Sequence, residues 1–314
     1  MAVDRSGPRA HAIVNPFGGN KVGPRLLEDA RSVFEDAGFR VLAYETEYAG
    51  HARDYARSLL LEPDDLLVPI GGDGTLFEVV GGLLARDDEQ RVRVAPIPGG
   101  ASNYMGQALG IPVEDGEGAA RAIVSGEPRA VDLGRVQSGD RTVHGVCALS
   151  WGFVQEFAAC ADRHRWMGVR RYTAAGLQAL WKTGPREGRL TLDGEQAIDG
   201  AFSLFLCLNS ESMGRDRALL PGAQIDDGHW DVVFCRALSK ADLADVVTRM
   251  DRGDGSWLDS EHVEHRRVRR FELDGDERDP VNVDGETNLS MPLRFEVEPG
   301  AVTMMGKGRS GALS

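Results

Sequence analysis

No stretch of this 314-residue sequence reaches the roughly 18 consecutive apolar residues that a membrane-spanning helix needs. A spanning helix is therefore excluded as the basis of any membrane role. Cysteine is scarce. The four present, Cys147, Cys160, Cys207 and Cys235, include no Cys-x-x-Cys. They read as buried thiols in a reducing compartment, not as a disulfide framework or a metal site. Positive charge is in deficit, with 36 Lys and Arg against 49 Asp and Glu and a net charge of −13. That argues against a nucleic-acid partner and against attraction to acidic membranes through global charge. The first nine residues carry no apolar core of a leader, so the expectation is no secretory signal and a cytoplasmic location. Internal repeats and low-complexity segments are missing too, although the tail after Lys307 is rich in Gly and Ser.

What remains is a globular composition. Hydrophobic residues make up 42% and the mean hydropathy is −0.28, in a chain long enough for two domains with real cores. The pattern changes near residue 130. Before it, apolar runs at 11–15, 40–45, 66–70 and 92–97 alternate with helical periodicity near 24–37, 51–61, 75–85 and 117–125. That alternation predicts a doubly wound α/β domain over 1–130. After it, strand-like runs dominate, at 131–137, 143–149, 189–192, 201–208, 231–235, 263–273 and 293–297. They predict an antiparallel β-sandwich over 131–299, with helical exceptions near 154–182 and 240–250. The stretch from about 300 to 314 is expected to return to the first domain.

Three predicted strands of the first domain run into glycine-rich loops. Leu66-Leu67-Val68-Pro69-Ile70 precedes Gly71-Gly72-Asp73-Gly74-Thr75, after which a helix is predicted from Thr75 to Ala85. Glycines let a backbone turn sharply and bring its N–H groups close to a polyanion. A helix start adds a partial positive charge and unpaired donors, so phosphate fits there. Asp73, in the middle of that turn, repels phosphate unless a metal or a proton transfer uses it. The residues thus point to a nucleotide-dependent phosphotransferase with Asp73 as base or Mg²⁺ partner. A plain strand-to-helix turn with a capping Asp is the bland alternative. Asn15-Pro16-Phe17-Gly18-Gly19 and Pro98-Gly99-Gly100-Ala101-Ser102-Asn103 repeat the strand-then-glycine design. Such loops at the carboxyl ends of successive strands lie where open α/β sheets bind ligands. None of the three is a Walker loop or a Gly-x-Gly-x-x-Gly fingerprint.

In order and spacing these loops resemble the diacylglycerol kinase catalytic-domain family, which includes bacterial lipid kinases, sphingosine kinases and ceramide kinases. Thr46-Glu47…His51-Ala52 resembles its nucleotide-contacting segment, Asp226-Asp227-Gly228…Asp231 its central acidic turn, and Asp284-Gly285-Glu286 its C-terminal acidic motif. The resemblance spans about residues 10–305. It implies ATP and Mg²⁺ as cofactors and a membrane lipid as acceptor. Asn15, Pro16, Gly18, Gly19, Thr46, Gly71, Gly72, Gly74, Thr75, Gly100, Ser102 and Asn103 would contact the nucleotide. Asp73 would be the base, with Asp284 and Glu286 organising Mg²⁺ and water, Asp284 holding the metal through water. Glu78, Phe153, Glu156 and Trp166 would meet the lipid. The resemblance leaves a homodimer open.

The helical insert, from Trp151 through Arg163-His164-Arg165-Trp166-Met167-Gly168-Val169-Arg170-Arg171-Tyr172, interleaves apolar groups with four arginines. A solvated helix pair is the bland reading. In sphingosine and ceramide kinases the matching Arg-x-x-Gly-x-x-Arg clamps phosphate, which the resemblance assigns here to Arg165 and Arg171. Guanidinium suits bidentate phosphate contact. A soluble enzyme that phosphorylates a membrane lipid is expected to dock peripherally, through this lobe.

Two departures matter. The third loop has Ala101-Ser102 where the family has Ser or Thr followed by Gly. Ala158 stands where sphingosine kinases place a second acid, so a free ammonium would lack that partner. The expected reaction is γ-phosphate transfer to the primary hydroxyl of ceramide, another sphingoid lipid or diacylglycerol. The rivals are an NAD kinase-like enzyme with a soluble acceptor and a non-catalytic lipid- or nucleotide-binding regulator. Several other residues have bland readings. His262 and His265 are expected to be solvated, and Trp230 and Trp257 to pack. Asp226 and Asp227 could organise a metal or form a turn, and Asn209-Ser210-Glu211 could line a site or end a strand.

Overall fold

The computed structural model describes residues 7–19, 21–88, 90–164, 170–212 and 218–307, without the side chains of 162 and 170–173. The chain divides into two compact units. The first holds the described residues up to Leu133 together with those from Pro299 onward. The second runs from Gly134 to Glu298.

The first unit starts β1 (Arg9–Val14), α1 (Gly23–Asp36), β2 (Arg40–Glu45), α2 (His51–Ser58), β3 (Leu66–Gly71) and α3 (Asp73–Leu84). It continues through β4 (Arg93–Val94), β5 (Ile97–Pro98), α4 (Tyr104–Ala108) and α5 (Gly116–Val124). β3 is buried at every residue, because a central parallel strand is covered on both faces. It lies between β1 on one side and β4 and β5 on the other, all parallel, with β2 outside β1. The run expected at 92–97 is two short strands. Pro96 has no N–H to donate, and the chain re-pairs with β3 on either side of it. α1 packs on α5, and α2 on α3. α1 buries Leu26, Leu27, Ala30 and Phe34, the apolar face that its 3.6-residue period predicts.

The second unit contains most of β6 (Glu127–Ser138), then β7 (Arg141–Gly145), β8 (Ala148–Gly152), α6 (Phe153–Arg163), α7 (Arg170–Lys182), β9 (Arg186–Leu192) and β10 (Ile198–Leu208). β11 (Trp230–Arg236), α8 (Lys240–Arg252), β12 (Glu264–Val268), β13 (Arg270–Gly275), β14 (Val281–Val283), β15 (Glu286–Leu289) and β16 (Leu293–Gly306) follow. Pairing within this unit is antiparallel. β10 organises it. Its first half pairs with β9 and its second half with β8, while β11 takes its other edge. The strand-like run at 263–273 breaks at Arg269. β12 pairs with β11, and β13 pairs with β9 and β16. Asp193 Oδ1 accepts both N–H groups at the break, from Arg269 at 3.0 Å and Arg270 at 2.9 Å. Trp151, Trp230, Phe202, Phe205, Phe234, Phe271 and Phe295 fill the interior, each no more than 1–2% exposed. β6 and β16 each run from one unit into the other, and Met304 of β16 pairs in parallel with Val94.

Candidate functional site

In the first unit three loops leave the carboxyl ends of β1, β3 and β5 and interlock. Asn15 Nδ2 donates to Thr75 Oγ1 at 3.2 Å, tying the first loop to the second. Asn15 Oδ1 accepts the N–H groups of Phe17 and Gly18 at 2.9 and 3.0 Å, which folds the first loop over its own side chain. The Gly99 N–H donates to Gly71 O at 2.7 Å, joining the second loop to the third. Asn103 sits in the left-handed region, 2% exposed, and closes the third loop on itself. Its Oδ1 accepts from Gly100 N at 2.8 Å and its Nδ2 donates to Gly100 O at 2.7 Å.

The glycines serve approach more than turning. Gly71, Gly72 and Gly74 all have ordinary φ, so the turn does not use the left-handed region. A Cβ on Gly71 would lie 2.6 Å from Thr75 Oγ1, and one on Gly100 would lie 2.4 Å from Gly72 Cα. A Cβ on Gly19 would lie 2.3 Å from Gly99 O. Side chains are excluded because the three backbones touch each other. Gly74 is different: nothing lies within 4 Å of its Cβ position. Asp73 is the first residue of α3, not mid-turn, and is half-buried. Its carboxylate therefore stands at the positive end of a 12-residue helix, beside backbone donors of the kind that bind phosphate.

Thr46 is 6% exposed at the end of β2, and its N–H donates to Val14 O at 2.8 Å. His51 lies between the rings of Tyr48 and Tyr55, 4.3 and 4.1 Å away. Its Nδ1 accepts from Glu47 N at 3.1 Å, which places the ring proton on Nε2. Glu78, expected at the lipid, accepts from Gly50 N at 2.9 Å and Ala52 N at 3.2 Å. It caps the first turn of α2, where unpaired N–H groups need an acceptor.

In the second unit Asp284 and Gly285 form the two-residue turn between β14 and β15, with φ of +50° and +98°. Positive φ at both positions is the hairpin geometry that Asp-Gly favours. Both Asp284 oxygens are taken by main chain: Val146 N at 2.5 Å, Cys147 N at 3.1 Å and Ala148 N at 2.8 Å. Burial pushes its carboxyl up to about 6, against the pull of those three donors. As a direct magnesium ligand Asp284 does not fit, because its lone pairs already meet amides. Among the described residues no cluster of three or more His, Cys, Asp or Glu could hold a metal. Glu286 is more open. Its Oε1 accepts from Asn288 Nδ2 at 2.9 Å and lies 3.7 Å from Arg141. β14 pairs with β8, and β8 runs directly into α6, so one strand supports both the hairpin and the insert.

Other residues depart from expectation. Phe153 is 3% exposed in the core with Val154, Leu204 and Leu206, so the structure gives it to packing. Glu156 is ringed by Arg163 at 3.4 Å, Lys182 at 3.8 Å and the Cys160 thiol at 3.5 Å. His265 is half-exposed, and its Nε2 lies 2.6 Å from Asp231 Oδ1. Asp227 forms a turn, accepting from His229 N at 3.0 Å, and pairs with Arg267 at 2.5 Å. Asn209 follows the last residue of β10 and donates to Val146 O at 3.0 Å. Trp230 and Trp257 pack, fully buried. Arg165 and Trp166 lie outside the described residues, as does the side chain of Arg171 within α7.

The model of the diacylglycerol kinase catalytic domain matches residues 9–136, and that of the YegS C-terminal NAD kinase beta sandwich-like domain matches residues 148–306. A diacylglycerol kinase of Staphylococcus carnosus (strain TM300) is 30% identical over 294 residues, covering 91% of each chain. The chain belongs to the diacylglycerol kinase catalytic-domain family. Within it, a diacylglycerol kinase of Bacillus subtilis (strain 168) is 29% identical, covering 91% of this chain and 92% of that one. Sphingosine kinase 1 of Arabidopsis thaliana is 26% identical, over 83% of this chain and 63% of its own. The fold matches the crystal structure of a diacylglycerol kinase from Bacillus anthracis with a TM-score of 0.71, at 21% identity, over 97% of this chain and 98% of that one. Yeast NADH kinase shares the fold more loosely, with a TM-score of 0.50, at 11% identity, over 97% of this chain and 85% of that one.

Proposed function

We propose that this member of the family is an ATP-dependent lipid kinase acting on the primary hydroxyl of ceramide, another sphingoid lipid or diacylglycerol. The observation that carries this is the interlocked set of glycine loops with Asp73 at the start of α3. A cradle of bare backbone at a helix start suits a polyphosphate. A carboxylate there has a use in proton transfer. Asp73 takes the proton from the lipid hydroxyl as its oxygen bonds to the γ-phosphorus. The bond from that phosphorus to the bridging oxygen breaks, and ADP leaves. Rate acceleration comes chiefly from alignment and charge neutralisation. Magnesium would ride on the ATP phosphates and water, since it dehydrates reluctantly. The Arg165 and Arg171 clamp belongs to this proposal as well.

Peripheral membrane docking from the cytoplasm completes the reading. It is supported by α7, where Leu177 is 68% and Trp181 81% exposed, one helical turn apart. The Lys240 ammonium lies 5.1 Å over the Trp181 ring. Apolar groups rimmed by cations are what an interfacial helix presents. No described helix is long and apolar enough to cross a membrane.

The test is labelled ATP with ceramide, diacylglycerol and sphingosine in mixed micelles, and with NAD⁺ in solution. Label in an extractable lipid supports the proposal. Label in NAD⁺ alone supports the soluble-acceptor alternative, and hydrolysis without transfer to any acceptor refutes lipid kinase activity.

A further inference from the structure

Among the described residues of the first unit two aromatic side chains stand out into solvent, Phe17 at 67% and Tyr48 at 56% exposed. The Tyr48 ring is fixed in place. It stacks on His51 with centroids 4.3 Å apart and planes at 7°, and His51 stacks on Tyr55 at 4.1 Å and 16°. The Tyr48 hydroxyl donates to Asp54 Oδ2 at 2.8 Å. One face of the ring is thus covered and the other is open, at the outer end of a three-ring stack.

This stack is joined to the glycine loops by hydrogen bonds at both ends of its own loop. Thr46 N donates to Val14 O at 2.8 Å, one residue before Asn15 of the first glycine loop. β1 and β2 are adjacent parallel strands, so the loops after them leave the same edge of the sheet. At the other end, Gly50 N and Ala52 N donate to Glu78 at 2.9 and 3.2 Å. Glu78 stands one helical turn after Gly74 on the same face of α3. Gly74 is the glycine of that turn whose Cβ position meets nothing within 4 Å. The resemblance assigns Thr46 to the nucleotide and gives Tyr48 no role.

An ordered aromatic face left in water is apolar surface that folding has not buried. Its natural partner is another flat ring. Stacking a nucleobase on an aromatic side chain strengthens binding ~10-fold or more. A ring already held by His51, Tyr55 and Asp54 has little freedom left to lose on binding, which favours that gain.

We propose that Tyr48 is the stacking platform for the nucleobase of the phosphoryl donor, with the polyphosphate on the glycine loops. A purine suits it better than a pyrimidine, because two fused rings cover more of the Tyr48 face. This inference rests on reading those loops as a polyphosphate cradle and deepens that reading.

The experiment measures binding of ATP, UTP and inorganic tripolyphosphate by calorimetry, for the wild type, Tyr48→Ala and Tyr48→Phe. Tyr48→Ala should weaken ATP ~10-fold or more and leave tripolyphosphate, which has no base, within ~2-fold. Tyr48→Phe keeps the ring and should hold ATP within ~3-fold of wild type. The wild type should bind ATP at least ~3-fold more tightly than UTP, and Tyr48→Ala should bring the two together. If Tyr48→Ala does not fold, Tyr48→Leu against Tyr48→Phe makes the same comparison. Unchanged ATP binding without the ring overturns the inference. So does an equal loss of ATP and tripolyphosphate, which would make Tyr48 a loop-shaping residue, and so does a wild type with equal affinity for ATP and UTP. Each of these results leaves the polyphosphate cradle intact. A folded wild type that binds neither ATP nor tripolyphosphate would instead bring down the ATP-dependent kinase reading.

Discussion

Asp73 and Asp284 both stand beside glycine, and the two units use them for opposite purposes. Asp73 opens α3 in a loop whose glycines clear space between backbones. Asp284 closes a hairpin with positive φ, and its glycine neighbour turns the chain. One carboxylate sits at a helix start that favours an incoming phosphate. The other accepts from three amides of residues 146–148. An Asp-Gly pair thus says little about role; the partners of its oxygens decide. On the proposed function the acid of the first unit serves the chemistry, and that of the second holds the β14–β15 hairpin to β8.

Removing the hairpin acid should break the comparison hardest. Asp284→Ala leaves three N–H groups of buried or half-buried residues unpaired and should lower stability by about 3 kcal/mol. Chemical denaturation measures it, and a stability change under about 1 kcal/mol would mean the amides have another acceptor.

The pH dependence sharpens the same point. Burial raises the Asp284 carboxyl to about 6, above the 3.8 of an unburied one. The folded chain therefore holds that proton more tightly than the unfolded chain. The group's contribution to stability is full below about pH 4 and declines as pH rises to about 6, then levels off. Asp284→Asn cannot lose a proton, so its stability relative to wild type should rise across that window. Denaturation of both proteins at several pH values reads the difference; parallel profiles would show that Asp284 does not titrate there.

In the first unit the contrast is between two glycines of one site. Gly100→Ala puts a Cβ 2.4 Å from Gly72 Cα and should cost about 1–3 kcal/mol, with weaker ATP binding. Gly74→Ala meets nothing within 4 Å at ordinary φ, in the first turn of α3. It should gain about 0.4–1 kcal/mol while raising KM for ATP, if its bare backbone is kept for the ligand. Thermal melts beside ATP titrations separate the two; a Gly74→Ala variant with unchanged KM would place the phosphate elsewhere.

Much of this was legible in the residues. The strand-loop-helix order around Gly71–Thr75 follows from the apolar run before it and the periodicity after it. The sandwich strands with strong alternation were legible too. Three kinds of feature were not. β14 and β15 are only three and four residues long, and their strongest sequence signal is the Asp284-Gly285 pair between them. The split of 263–273 into β12 and β13 depends on Asp193, 76 residues away in sequence from Arg269, which no local pattern reveals. The resemblance assigns Glu78 to the lipid, and only tertiary packing places it under the start of α2. The burial of Phe153 and the engagement of His265 by Asp231 are likewise long-range outcomes.

The most direct test of the account is Asp73→Asn, with ATP binding, melting temperature and lipid turnover measured on one preparation. The account predicts unchanged folding, retained ATP binding and a kcat lower by at least ~100-fold, the scale of losing a general base. Near-normal turnover in a folded, ATP-binding Asp73→Asn protein would contradict it.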